Sequence, residues 1–134
     1  MKIVFTLLIA FFSMTAVGHA AAEDNFVPRI HFPSNSFAIE AGENALLEQN
    51  VSWLQNHPQA VLILEGHCDE WGKKSYNMEL GDRRAREVKA YLIEKAIDPE
   101  RIIMVVSFGE DKPLDPGHFR EAWRKNRRVE FILR

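Results

Sequence analysis

The sequence predicts a two-layer α/β sandwich (an α+β sandwich), a small mixed sheet packed against two main helices. Three observations point there. Two short continuous apolar runs, Val61-Leu62-Ile63-Leu64 and Ile102 to Val106, have the length of buried strands. Between them, from about Asn77 to Lys95, apolar residues recur at helical spacing. Near the chain's end Val129, Phe131 and Leu133 alternate as a half-buried strand.

The elements follow in the order β-α-β-α-β-(α)-β. Ile30, His31 and Phe32 form a brief extended run before the turn signal Pro33–Ser36. From Glu43, the residues Leu46, Leu47, Val51 and Leu54 line one face of a helix. Pro58 ends it, because proline disfavours helical geometry in the residue before it. The Val61–Leu64 strand is expected to be buried on both faces and to stop at Gly66, with a polar loop from His67 to Ser75. After the long helix, Asp98-Pro99 turns the chain into the second strand, also expected to be buried. Asp111 to Gly117, with two prolines and a glycine, reads as a loop, and His118 to Asn126 as a short helix.

At 134 residues and 46% hydrophobic content the chain has room for one folded domain and too much apolar material for disorder. Its single cysteine, Cys68, excludes a disulfide scaffold. Lys and Arg number 17 against 19 Asp and Glu, a net charge of −2 that gives no reason to expect a nucleic-acid or anionic-membrane partner. Residues 1–22 read as a cleavable secretory signal. Lys2 precedes an apolar run from Ile3 to Val17, and small residues follow at Gly18, Ala20, Ala21 and Ala22, with the cut expected after Ala20 or Ala22. The run is short of the roughly 20 residues that span a bilayer, and no cysteine near its end offers a site for lipid. The expected organisation is signal 1–22, lead-in 23–29 and domain 30–134, working outside the cytoplasm.

The long helix contains an anomaly. At roughly 100° per residue, Leu80, Tyr91, Val88, Leu92 and Ala85 share one apolar arc, and Arg84 falls inside it. Arg83 and Arg86 point the other way. A guanidinium on the inner face must meet an anion or stay at the rim. Two readings are open: Arg84 pairs with a protein carboxylate and braces the loop, or it grips the carboxylate of a ligand. The loop Gly66-His67-Cys68-Asp69-Glu70-Trp71-Gly72 leaves the carboxyl end of the first buried strand, where ligands of open α/β sheets collect. Asp69, Glu70, Asn77 and Arg84 would therefore converge near one helix N-terminus, a set suited to a zwitterion.

Glu65-Gly66-His67-Cys68-Asp69-Glu70-Trp71-Gly72, Tyr76-Asn77 and Leu80-Gly81-Asp82-Arg83-Arg84-Ala85 resemble the signature of the OmpA-like peptidoglycan-binding domain. Within that family they are most similar to the peptidoglycan-associated lipoprotein (Pal) branch. Ser107-Phe108-Gly109-Glu110, Lys112-Pro113 and Lys125-Asn126-Arg127-Arg128-Val129-Glu130 extend the likeness over Ile30 to Leu133.

The resemblance implies a non-catalytic domain of the Gram-negative cell envelope, periplasmic and associated with the outer membrane. Its partner would be the diaminopimelate of the peptidoglycan stem peptide. It places Asp69 and Arg84 on the charged end of that residue, with Asn77 and Arg127 supporting. Asn35 stands in a stretch where the family usually carries an aspartate, and Trp71 replaces a more usual polar or basic residue. The lipidated cysteine of the Pal branch has no counterpart here. No cofactor and no metal are expected. A second reading is a Tol–Pal-type module whose ligand is another envelope protein of the Tol system. A third is a Cys68-dependent wall hydrolase, which the strand geometry disfavours because neighbouring His67 and Cys68 would point to opposite faces.

Overall fold

The structure is a computed structural model in which residues 25–134 are described; the export segment read in residues 1–22 lies outside them. Strand β1 (Arg29–His31) leads to helix α1 (Ala41–Asn56), β2 (Leu62–His67), α2 (Lys74–Glu94) and β3 (Ile102–Gly109). A short helix α3 (Arg120–Asn126) and β4 (Arg128–Leu133) complete the chain. The sheet order is β1-β4-β2-β3; β4 is antiparallel to both neighbours, and β2 and β3 are parallel. This is the predicted mixed sheet with two main helices.

Leu47, Val51 and Leu54 of α1 and Ala85, Val88 and Leu92 of α2 join Ile30, Leu62, Leu64, Ile102, Val129 and Phe131 in one core. Both helices therefore cover the same face of the sheet. The other face is open, which corrects the expectation of strands buried on both sides. Ile103 and Met104 of β3 are 54% and 53% exposed, and Ile63 of β2 is only half-buried. A strand with one helical layer buries alternate residues, and β2 does so with Leu62 and Leu64 inward.

Tertiary contacts also move element ends. Strand β2 extends to His67 and β3 to Gly109, because the parallel ladder runs on through Gly66↔Ser107 and His67↔Gly109. Helix α2 begins at Lys74, earlier than expected, with the Asn77 N–H bonded to the carbonyl of Lys73 at 3.0 Å. Helix α1 starts at Ala41, and α3 starts only at Arg120.

The approach of α2 to the sheet depends on a glycine pair. A Cβ on Gly66 would lie 1.7 Å from the Gly81 carbonyl oxygen, and one on Gly81 would lie 2.3 Å from Ser107 Oγ. With neither side chain present, helix and strand backbones touch, and this seats the first turns of α2 under the loop that leaves β2.

Candidate functional site

The loop Cys68 to Lys73 leaves the carboxyl end of β2 and re-enters α2. Its start continues the sheet, since the Cys68 N–H donates to the Gly109 carbonyl at 2.8 Å. Gly72, at φ +94°, makes the turn that returns the chain toward the helix. Ser34 and Asn35 form the facing wall, and Leu80 and Arg84 contribute from α2. Together with Cys68, Asp69, Trp71, Gly72, Tyr76 and Asn77 they enclose an open cleft of about 200 Å³.

Arg84 points inward as its helical phase predicts and is 1% exposed. Its partners are backbone carbonyls rather than a carboxylate. Nε donates to Ser36 O at 2.8 Å, Nη1 to His67 O at 2.9 Å and Nη2 to Pro33 O at 2.9 Å. Nη1 also reaches Cys68 Sγ at 3.5 Å, and the guanidinium lies over the Phe32 ring at 5.3 Å. Four of the five N–H groups of an arginine are thus engaged. Burial lowers the pKa of Arg84 from its ordinary value, countered by the nearby Cys68 and Asp69. The bracing reading is right in effect and wrong in partner: three carbonyl dipoles take the place of a carboxylate.

Asp69 is buried at the cleft edge. Its Oδ1 accepts from the Trp71 N–H at 3.0 Å, and its Oδ2 accepts from Arg127 Nη1 at 3.3 Å. Asn77 Nδ2 donates to the carbonyls of Asp69 (3.3 Å) and Trp71 (2.9 Å), so the loop is held from both sides. Asn35, at φ +54°, accepts a hydrogen bond from the Tyr76 hydroxyl, which ties the two cleft walls together. Asp69, Asn77, Arg84 and Asn35 therefore share one cleft.

Glu70 lies outside this cleft, and Arg127 supports it from behind. Glu70 turns outward, accepting from His118 Nδ1 at 2.7 Å and from Trp123 Nε1 at 2.9 Å. Arg127 sits behind Asp69, donating also to Phe32 O at 2.9 Å, and lines a separate hollow with His31, Glu43 and Arg124. Tyr76 and Ser34 are cleft residues that the sequence reading did not single out; the Tyr-Asn pair of the motif was the available signal for Tyr76.

No nucleophile is built here. Cys68 is 3% exposed, its thiol donates to the Asn77 carbonyl at 3.2 Å, and burial pushes it up to about 11. His67 lies on the opposite face of the sheet, stacked on Phe108 at 5.5 Å. Burial, with Arg128 next, lowers His67 to about 4. Among the described residues, no cluster of three or more His, Cys, Asp or Glu is placed to hold a metal ion, and no helix is long and apolar enough to cross a membrane.

A four-stranded β1-β4-β2-β3 sheet under two helices, with a charged cleft at the carboxyl end of β2, defines a class. Residues 31–127 match the OmpA family model, and the chain belongs to that family. Its relatives narrow the likeness further. It is 34% identical over 109 residues to the peptidoglycan-associated lipoprotein of Rhizobium meliloti, covering 81% of this chain and 61% of that protein. The peptidoglycan-associated lipoprotein of Pseudomonas aeruginosa is 36% identical over 105 residues, covering 78% of this chain and 61% of that protein. The chain thus spans less than two thirds of the length of these curated relatives. The crystal structure of the peptidoglycan-associated lipoprotein from Burkholderia pseudomallei matches with a TM-score of 0.75 at 31% identity, over 81% of this chain and 91% of that one. The C-terminal domain of Helicobacter pylori MotB shares the fold, with a TM-score of 0.74 at 24% identity over 81% of this chain and 84% of that one.

Proposed function

We propose that this chain binds peptidoglycan in the cell envelope, without chemistry, by holding the diaminopimelate of the stem peptide in the cleft beside Asp69. The proposal places the protein in the periplasm, associated with the outer membrane. One observation carries the assignment of the site. Asp69 and Arg84 line one open cleft, and the guanidinium retains a single N–H with no partner among the described residues. That N–H would meet the ligand's carboxylate, and Asp69 would meet its ammonium group. The relatives named peptidoglycan-associated lipoprotein support the reading.

Asn77 and Arg127 then act through Asp69, one fixing its backbone and the other its carboxylate. Tyr76 and Asn35 hold the entrance, and Asn35 brings an acceptor without a charge. Glu70 plays no part in gripping the amino acid. A few charge-assisted bonds of about 1.5–3 kcal/mol each, offset by the cost of ordering the ligand, give weak binding to one stem peptide. Retention on a polymer carrying many copies can still be effective through rebinding.

The test is retention on purified sacculi, with free diaminopimelate as competitor. Asp69→Asn preserves the shape of the carboxylate and removes its charge. It should lower retention at least tenfold, the equivalent of about 1.4 kcal/mol. Wild-type protein that fails to sediment with sacculi, or that ignores the competitor, would refute the assignment. The second reading, an envelope-protein ligand of the Tol system, would instead show as retention that depends on added envelope protein.

A further inference from the structure

On the rim of the peptide cleft, the exposed Trp71 and the half-buried Trp123 form an aromatic pair that the grip on diaminopimelate does not use. Trp71 is 61% exposed, and its ring meets that of Trp123 edge to face at 5.2 Å. Trp71 is held through its backbone and Trp123 through its ring. The Trp71 backbone is bonded on both sides, through its N–H to Asp69 and its carbonyl to Asn77. Trp123 Nε1 is held by Glu70, which also takes His118. We infer that Trp71 and Trp123 form a stacking platform for an amino-sugar ring of the glycan strand, an inference that rests on the peptidoglycan reading above.

Three features favour a sugar. Trp71 lines the peptide cleft, while its neighbour Glu70 lines a second hollow of about 200 Å³ with Glu110, Asp115 and His118, so the platform sits on the ridge between the two. A pyranose offers an apolar C–H face and a rim of hydroxyl and amide groups. The exposed Trp71 indole offers the apolar face, Trp123 buttresses it edge to face, and Glu70 and His118 stand beside it as hydrogen-bonding groups. The stem peptide is joined covalently to such a ring, and two or three extended residues reach only about 7–10 Å. A ring attached to a peptide in the cleft therefore falls near its rim.

The experiment compares two ligands by calorimetry: the diaminopimelate stem peptide alone, and the same peptide carrying its disaccharide. The readout is the ratio of the two affinities. Wild type should favour the sugar-bearing ligand by about tenfold, a typical effect of one stacked ring. Trp71→Ala and Trp123→Ala should bring the ratio close to one, and Trp71→Phe should keep most of it. Melting curves of the variants show that each is folded. A wild-type ratio of one, or an unchanged ratio in Trp71→Ala, overturns the platform and leaves the peptide site standing. If wild type binds neither ligand, the peptidoglycan reading falls and takes the platform with it.

Discussion

The Arg84 guanidinium donates to the carbonyl oxygen of Pro33 at 2.9 Å, across 51 positions of the chain. The same group holds the carbonyls of Ser36 and His67. One side chain thus ties the segment after β1 to the end of β2 and builds the cleft it lines.

Arg84→Ala should therefore destabilise the fold as well as empty the site. Three carbonyls lose their donor, at about 1–3 kcal/mol for each that stays buried and unpaired. Water entering the vacated space offsets part of this, and a net loss of about 3–5 kcal/mol is expected in urea unfolding. Arg84→Lys should lose less, since an ammonium reaches some of the carbonyls but cannot fork among all three. A loss below about 1 kcal/mol for Arg84→Ala would show that the segment does not depend on this clamp.

Gly81→Ala tests the contact of α2 with the sheet. Its Cβ would stand 2.3 Å from Ser107 Oγ and 3.0 Å from the Gly66 carbonyl oxygen. Relief requires a shift of the helix, expected to cost about 2–3 kcal/mol, the range of overpacked cores. Removing the hydroxymethyl group in Gly81→Ala/Ser107→Gly should recover part of the melting temperature. No recovery would place the strain on the backbone of Gly66 alone.

His67 makes the fold sensitive to acid. Its pKa falls from 6.5 to about 4 in the fold, through burial first and Arg128 next, with Glu130 opposing and Lys112 adding. Between those values the unfolded chain binds a proton that the folded chain does not. This contribution is fully present above about pH 6.5 and is lost as the pH falls toward 4, by up to about 3 kcal/mol at roughly 1.4 kcal/mol per unit. In His67→Leu the stability profile between pH 6.5 and 4 should flatten by that amount. Parallel profiles for wild type and variant would contradict it.

Cys68 should be inert while the protein is folded. With its thiol pushed up to about 11, about one molecule in a thousand carries the thiolate at pH 8. Alkylation by iodoacetamide should run more than a hundredfold slower than in urea. Cys68→Ser should sediment with sacculi as wild type does. Rapid alkylation of the native protein would show that the loop opens.

The sequence alone determined much of this protein. Its alternating periods set the order of strands and helices, because burial on one face leaves a mark every two or every three to four residues. The helical phase of Arg84 placed it inside, and the motif gathered Asp69 and Asn77 at one cleft. Only the tertiary structure decided what those groups touch. Arg84 meets the carbonyls of Pro33 and Ser36, and a main-chain carbonyl has no signature in a side-chain pattern. Glu70 follows Asp69 directly yet faces away, drawn to Trp123 from 53 positions further on. Arg127 likewise stands behind Asp69 because β1 and β4 pair, and the open face of the sheet follows from both helices packing on one side. Periodicity reports how deeply a residue is buried within its own element; which distant segment arrives beside it is settled when the elements pack.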